Sequence, residues 1–252
     1  MRDPASVEAL AARGAEVAVA DIEDEGALSA ALDGCRAAFL ALPLMFDLDA
    51  EVALGRAAVT AVQAAGVPYL VYGAGLDTDG RDIGASFIDA KPRIIAAARQ
   101  SGVPTLVVVP TMFMENLLFE RAAIEAGELP TPAPAAVRMS YVAVEDVGRA
   151  VAAALLRPDL AGGELDVCGP EALDGYERAA ALGRALGREV VYREVPLADV
   201  AATAPAFAAM WGEIVERGGL VPSDAAQMAL QPGQRLTLEE WARAAFAQPV
   251  AG

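Results

Sequence analysis

Gly102-Val103-Pro104-Thr105-Leu106-Val107-Val108-Val109-Pro110 is the stretch of this 252-residue chain on which the fold turns. From 105 to 109 it carries Leu-Val-Val-Val with no polar alternation, so a strand here must be buried on both faces. Such a strand belongs to a parallel sheet covered by helices. Gly102 closes a helix expected over 93–100, and Gly66-Val67-Pro68 makes the same corner between a helix near 48–65 and a strand at 69–72. Further toward the N-terminus, a short helix around 26–32 ends at Gly34 and leads into the apolar run 37–42. A strand is expected at 16–20. Before it, Asp3 reads as a helix N-cap, Pro4 as the first helical residue and Gly14 as the stop. Helices and apolar runs alternate, which predicts an α/β fold built as a doubly wound parallel sheet.

Beyond Val109 the rhythm loosens. A Pro-rich loop (Pro130, Pro132, Pro134) precedes a strand near 138–142 and a helix over 144–156. There follow a strand at 164–167, a helix at 176–186, a strand at 189–194, a helical stretch over 198–217 and a last helix. Thr237 with Glu240 opens that helix at capping-box spacing. The chain thus reads as one compact unit of two lobes. Residues 1–127 form the α/β lobe, whose sheet continues with later strands, and residues 128–252 a smaller α+β lobe.

Composition excludes several functions. Acidic residues outnumber basic ones 35 to 19, for a formal charge of −16, so nucleic acid and anionic membrane surfaces are disfavoured partners. The most apolar stretch, 103–114, holds two prolines and falls short of the ~20 residues that a spanning helix needs. Met1-Arg2-Asp3-Pro4 lacks the apolar core of a secretion signal. The two cysteines, Cys35 and Cys168, lie too far apart for a metal-ligand cluster, so a cytoplasmic location is expected. There is no histidine, which rules out Ser-His-Asp and Cys-His catalysis and His-ligated metals. Chemistry must come from Lys, Tyr, carboxylates, backbone amides or a borrowed cofactor. Neither G-x-G-x-x-G nor G-x-x-G-x-x-G occurs, nor does the Walker spacing or G-x-S-x-G. The strand end Tyr72-Gly73-Ala74-Gly75 reads as a tight active-site loop.

The segment 103–118, with Pro110-Thr111-Met112-Phe113-Met114-Glu115-Asn116 at its centre, resembles the NmrA-like family of atypical short-chain dehydrogenases/reductases, in which a strand runs into a "P-x-x-F-x-E-N" turn. Other blocks agree in order: Arg2-Asp3-Pro4, Gly14-Ala15-Glu16-Val17, Asp21 with Asp24, 141–147, and Cys168-Gly169-Pro170-Glu171. The resemblance implies a Rossmann-like fold and NADP as cofactor. The family normally opens with a strand, G-x-x-G-x-x-G, a helix and a second strand ending in an R-D-P-like sequence. Here the chain begins at that Arg, so roughly 35 residues of a βαβ unit are not in it. Two explanations stand: a truncated start, or a natural variant that has given up ordinary dinucleotide binding. Either way, weak or absent NADP binding is expected of the chain as written.

Lys91 is the only lysine among the 19 basic residues. Arg cannot exchange a proton near neutral pH, whereas a desolvated lysine can. Lys91 is therefore the first catalytic candidate, set against a solvated lysine at a helix start. The resemblance puts it where family reductases carry a lysine that contacts the nicotinamide ribose and serves the substrate. Phe87 stands where many relatives carry His, and Pro92 is expected to hold Lys91 out of the helical region. Gly73 and Ala74 replace the serines of relatives, so a Ser-Tyr-Lys triad is not supported. Tyr72, the nearby hydroxyl, is the second catalytic candidate, with packing as its other reading.

For the cofactor, Arg2 would clamp a 2′-phosphate. Asp21 and Ile22 match the family's adenine-side pair, with a helix cap as the alternative for Asp21. Leu42, Pro43, Gly73, Pro110, Met112 and Phe113 end successive strands and would line the cleft beneath the nicotinamide, or belong to the core. Of the pair Glu115-Asn116, Asn116 is the substrate-binding candidate, because an amide can fix a loop or a substrate carbonyl. Asp77, Asp79, Arg81 and Asp82 read as a solvated loop, and no metal is expected.

The resemblance implies an NADP-dependent reductase of small carbonyl, quinone or aromatic substrates, or a remnant of one, with Lys91 polarising or protonating the substrate oxygen. One alternative is a non-catalytic, dinucleotide-sensing regulator with a protein partner or a homo-oligomeric form. Another is a cofactor-free isomerase or cyclase.

Overall fold

The computed structural model describes residues 8–22, 24–76, 78, 80–230 and 233–247. In chain order the first half contains α1 (Glu8–Ala11), α2 (Glu25–Ala31), β1 (Ala38–Leu40), α3 (Leu48–Ala64), β2 (Leu70–Gly73), α4 (Ser86–Gln100) and β3 (Thr105–Pro110). A 3₁₀ helix over Met114–Glu120 leads to α5 (Arg121–Glu125), β4 (Glu128–Thr131), β5 (Arg138–Met139), α6 (Val144–Ala154) and β6 (Glu164–Val167). The remainder is α7 (Gly175–Leu186), β7 (Val191–Glu194), α8 (Leu197–Thr203), α9 (Pro205–Glu216), β8 (Gly219–Leu220), α10 (Ala225–Leu230) and α11 (Leu238–Ala245).

β1, β2, β3 and β6 lie side by side in that order, all parallel. Their side chains alternate between two apolar layers. Tyr69, Val71, Leu106 and Val108 meet Ala150, Val151 and Ala154 of α6 on one face. On the other, Leu70 meets Val59, Val62 and Ala98, and Tyr72 meets Val52, Ala90 and Ile94 of α3 and α4. This two-sided cover is what the unbroken Leu-Val-Val-Val run requires. Both Gly-Val-Pro corners form as expected, with φ of +67° at Gly66 and +79° at Gly102, a region open to glycine. The second half adds two short parallel pairs, β4 with β7 and β5 with β8, around the core of Met139, Leu182, Ile214 and Trp241.

Several expectations need correction. Residues 16–20 form no strand: Val17 and Val19 are exposed, and the segment has no ladder partner among the described residues. An apolar run without a neighbour to pair with cannot satisfy its backbone groups as a sheet does. The Pro-rich loop contains β4, where Pro130 is tolerated because β4 has β7 as its one neighbour and the missing N–H need not enter a ladder. The strand expected at 138–142 shrinks to β5, with Val142 making an isolated parallel bridge to Phe113. The helical stretch 198–217 is two helices, because Pro205 pushes Ala204 out of the helical region, to φ −144° and ψ 68°. Asp3 and Pro4 lie outside the described residues. Asp24, not Asp21, caps α2, accepting from Ala27 N at 3.0 Å.

Pro92 does not displace Lys91 from the helix: α4 runs straight through it. The helix is held from both sides by burial of Phe87, Ile88, Ala90 and Ile94, which outweighs the one bond that proline cannot make to the Ile88 carbonyl. Pro92→Ala is expected to stabilise the protein by about 2 kcal/mol by restoring that bond, net of proline's effect on the unfolded chain. A higher urea midpoint at unchanged slope would show it; an unchanged midpoint would mean that the helix is already strain-free at Pro92.

Candidate active site

Because the four strands are parallel, the segments after them emerge along one edge, where open α/β sheets bind ligands. Leu42 and Pro43 follow β1, Gly73 ends β2, Pro110 ends β3 with Met112 and Phe113 just beyond, and Cys168 follows β6. The structure therefore brings together Leu42, Pro43, Gly73, Pro110, Met112 and Phe113 on the expected edge. Pro43 is exposed, Leu42 packs against the Tyr72 cluster, and Phe113 packs against the α6 layer. Asp21 is exposed and Ile22 half-buried ahead of α2; Arg2 lies outside the described residues.

The same edge receives the first turns of α3 and α4. Asp47 caps α3, accepting from Ala50 N at 3.0 Å. Four residues on, Glu51 is fully buried, and its Oε1 accepts from Lys91 Nζ at 2.6 Å. Lys91 keeps 14% of its side-chain exposure. One turn deeper, Gly55 allows the helices to close up, since a Cβ there would sit 2.6 Å from Ile94 Cγ1. Toward the surface, Phe46, Phe87 and Phe207 bring their rings within 5.3 to 6.0 Å of one another. Phe87 and Lys91 are four apart on α4 and share a face, so this aromatic cluster stands one turn above the ion pair.

Tyr72 is buried between the sheet and these helices. Its hydroxyl and Glu51 Oε2 are both enclosed and have no hydrogen-bond partner among the described residues. Burial, and then the Glu51 carboxylate, push the Tyr72 phenol up, so it holds its proton across the physiological range. Burial likewise raises the Glu51 carboxyl, opposed by the hydrogen bond and charge of Lys91.

The part of the β2–α4 segment next to α4 is tied down by hydrogen bonds. Asp89 accepts from Ile83 N at 2.9 Å and Gly84 N at 3.0 Å, and Arg81 crosses to Glu213 of α9 at 2.6 Å. Arg217 and Arg81 hold the Glu213 carboxyl below its usual range. Arg81 and Asp82 are exposed, as expected of a solvated loop, though Arg81 also links two elements and Asp82 pairs with Arg93 at 2.7 Å; Thr78 nearby is buried, and Asp77 and Asp79 lie outside the described residues. On the far side of the cleft, Glu115 is the anchoring member of its pair. It accepts from Val144 N at the start of α6 and from Trp241 Nε1 of α11, each at 3.1 Å. Asn116 is exposed, with Nδ2 3.1 Å from Met112 Sδ.

Glu51, Phe46 and Phe207 were not visible as site residues in the sequence, although Glu51 left a trace. Positions 51, 55, 58 and 62 share one helical face, and the other three are Gly, Ala and Val, so a carboxylate in that stripe had to be buried and paired.

Among the described residues no group of three or more His, Cys, Asp or Glu is placed to hold a metal ion, and no helix is long and apolar enough to cross a membrane. The residues present suit one end of a dinucleotide. The strand edge with the side-chain-free Gly73 and the Lys91 ammonium fits a nicotinamide and its ribose. A glycine-rich strand-to-helix turn, the usual pyrophosphate cradle, is not among the described residues.

Residues 1–216 match the NmrA-like family. The chain belongs to that family. It is 33% identical over 201 residues to the NAD(P)H azoreductase of Xenophilus azovorans, covering 78% of this chain and 68% of that protein. It is 28% identical over 203 residues to quinone oxidoreductase 2 of Escherichia coli, covering 80% and 69%. This NmrA-like chain thus spans about two thirds of the curated relatives it matches. The Escherichia coli NADPH-dependent quinone oxidoreductase complexed with NADPH superposes with a TM-score of 0.82 at 26% identity, over 97% of this chain and 88% of that one. NmrA, a negative transcriptional regulator, shares the fold at a TM-score of 0.72.

Proposed function

We propose that this NmrA-like protein is an NADP(H)-dependent reductase of quinones or other small aromatic acceptors, working in the cytoplasm. The observation that carries the reading is the placement of the chain's one lysine at the ligand-binding edge of the sheet, in a family whose relatives include an NAD(P)H azoreductase and a quinone oxidoreductase. The dinucleotide, when bound, supplies the hydride. Gly73, Leu42, Pro43, Pro110, Met112 and Phe113 form the wall against its nicotinamide end, and Lys91 takes its ribose. Arg2, Asp21 and Ile22 belong to its adenine end.

Glu51 takes one of the three N–H donors of Lys91, which leaves the ammonium donors for the acceptor oxygen. As that oxygen gains electron density, Lys91 Nζ–H polarises it and passes it a proton, breaking N–H and forming O–H. Solvent then returns a proton to the amine. Asn116, exposed beside Met112, offers its amide to a substrate carbonyl. Cys35 and Cys168 are both free thiols, in keeping with a reducing compartment.

The test is nicotinamide oxidation by the full chain with benzoquinone and with an azo dye, alongside calorimetric titration of NADPH. Acceptor-dependent oxidation is expected. NADPH binding without turnover on any acceptor would transfer the reading to a dinucleotide-sensing regulator. Because the glycine-rich turn is not among the described residues, binding is expected to be weak; a folded chain that neither binds nor oxidises NADPH even at millimolar concentration would overturn both.

A further inference from the structure

We infer that Glu51 is the positioning residue for Lys91, fixing its ammonium at the sheet edge so that its remaining N–H donors meet the substrate oxygen. The inference rests on the reductase reading for its catalytic consequence, and on the geometry alone for the placement. Three observations support it.

First, the pair is costly for what it does structurally. Glu51 is 0% exposed, and replacing a buried ion pair by apolar residues of similar volume is often neutral or stabilising. The surroundings are already apolar, with Val52, Ala90 and Ile94 beside it. A carboxylate retained there, with Oε2 enclosed and unpartnered among the described residues, is poorly explained as a structural tie.

Second, the pair is built to be rigid. Its two ends come from α3 and α4, which approach closely one turn below, where Ile94 occupies the space that a Cβ on Gly55 would need. One turn above it, Phe46 and Phe87 meet edge-to-face at 6.0 Å, and burial of the carboxylate strengthens the 2.6 Å charged contact.

Third, the exposure is one-sided. The carboxylate is sealed, whereas Lys91 retains partial exposure, so the ammonium is the end that can meet a ligand. Tyr72, the other polar group packed beside the pair, has its hydroxyl enclosed and does not compete for that role.

Because the chain has one lysine, labelling with ¹⁵N-lysine gives a single side-chain ammonium signal from the intact protein. A persistent, slowly exchanging Nζ–H cross-peak is expected. Glu51→Gln preserves size and one acceptor oxygen but removes the charge. It is expected to speed that exchange at least about tenfold and to lower kcat for quinone reduction about tenfold, with KM for the quinone within about twofold. Glu51→Asp, which keeps the charge, is expected to retain the cross-peak and recover part of kcat; it also serves if the Gln variant does not fold. An unchanged cross-peak, or a lost cross-peak with unchanged kcat, would overturn the inference. If Glu51→Gln abolishes a protected cross-peak in a chain that shows no NADPH-dependent turnover at all, the placement stands and the reductase reading falls.

Discussion

Lys91→Met is expected to lose NADPH-dependent turnover by at least about a hundredfold and, separately, to cost about 3 to 5 kcal/mol of stability. The stability loss follows from what is left behind. Glu51 is fully buried, and among the described residues its side-chain partner is the Lys91 ammonium. Removing one partner of such a pair strands an uncompensated carboxylate. The pH dependence fixes the sign. Burial already raises the Glu51 carboxyl above its unfolded value, against the opposing pull of Lys91, so without Lys91 it rises further.

A carboxyl whose folded pKa lies above the unfolded one costs nothing at pH below the unfolded value, where both states are protonated. Its cost grows as pH rises from the unfolded pKa toward the folded one and is constant above it. The stability gap between Lys91→Met and the parent should therefore be small in acid and widen toward neutral pH, as read by urea unfolding across that range. Lys91→Met/Glu51→Leu should recover most of the lost stability and none of the turnover. Turnover retained in the single variant would remove Lys91 from the chemistry, and a gap that narrows with rising pH would contradict the buried pair.

The contrast between these two residues shows where the sequence is transparent. Lys91 was conspicuous as a lone residue type, and its place in the cleft was implied by the resemblance to the family's reductases. Burial patterns, glycine corners and the Thr237–Glu240 capping box are local signals, and the structure repeats them at the expected positions. Glu51 was silent because its meaning depends on a partner 40 residues away across a helix–helix contact. Only the helical face that it shares with Gly55 hinted at burial.

The failures have the same origin. Val17 and Val19 have strand-forming side chains, yet pairing is a property of two segments, and no described segment pairs with them. Pro92 looked disruptive because local backbone preference was weighed without the packing of Phe87, Ile88 and Ile94 that holds the helix in place. Glu115 and Asn116 could not be ranked from their chemistry. What separates them is Trp241, 126 residues along the chain, which reaches Glu115 and not Asn116.

Gly169→Ala is the second change with a large expected effect, at least about 4 kcal/mol. Gly169 follows β6 at the ligand-binding edge, and a Cβ on it would overlap the Tyr141 carbonyl oxygen. Neither side can yield. Tyr141 is pinned through Val142, whose N donates to the Met112 carbonyl at 2.9 Å and whose carbonyl accepts from Met114 N at 2.9 Å. The Gly169 side is pinned through Cys168, whose N donates to Gln227 Oε1 at 3.0 Å and whose carbonyl accepts from Arg235 Nη1 at 3.0 Å. Relief by backbone movement would break these bonds and separate the sheet edge from the core around Met114 and Met139. Gly148→Ala provides the opposite case on the same scale. It lies within α6 with nothing near its Cβ position, so the added methyl should stabilise the helix by about 0.5 to 1 kcal/mol. Urea midpoints for the two variants should therefore move in opposite directions from the parent, with faster hydrogen exchange at the Val142 amide in Gly169→Ala alone. Equal midpoints for Gly169→Ala and the parent would show that the strand-end loop and Tyr141 do not approach as closely as this packing requires.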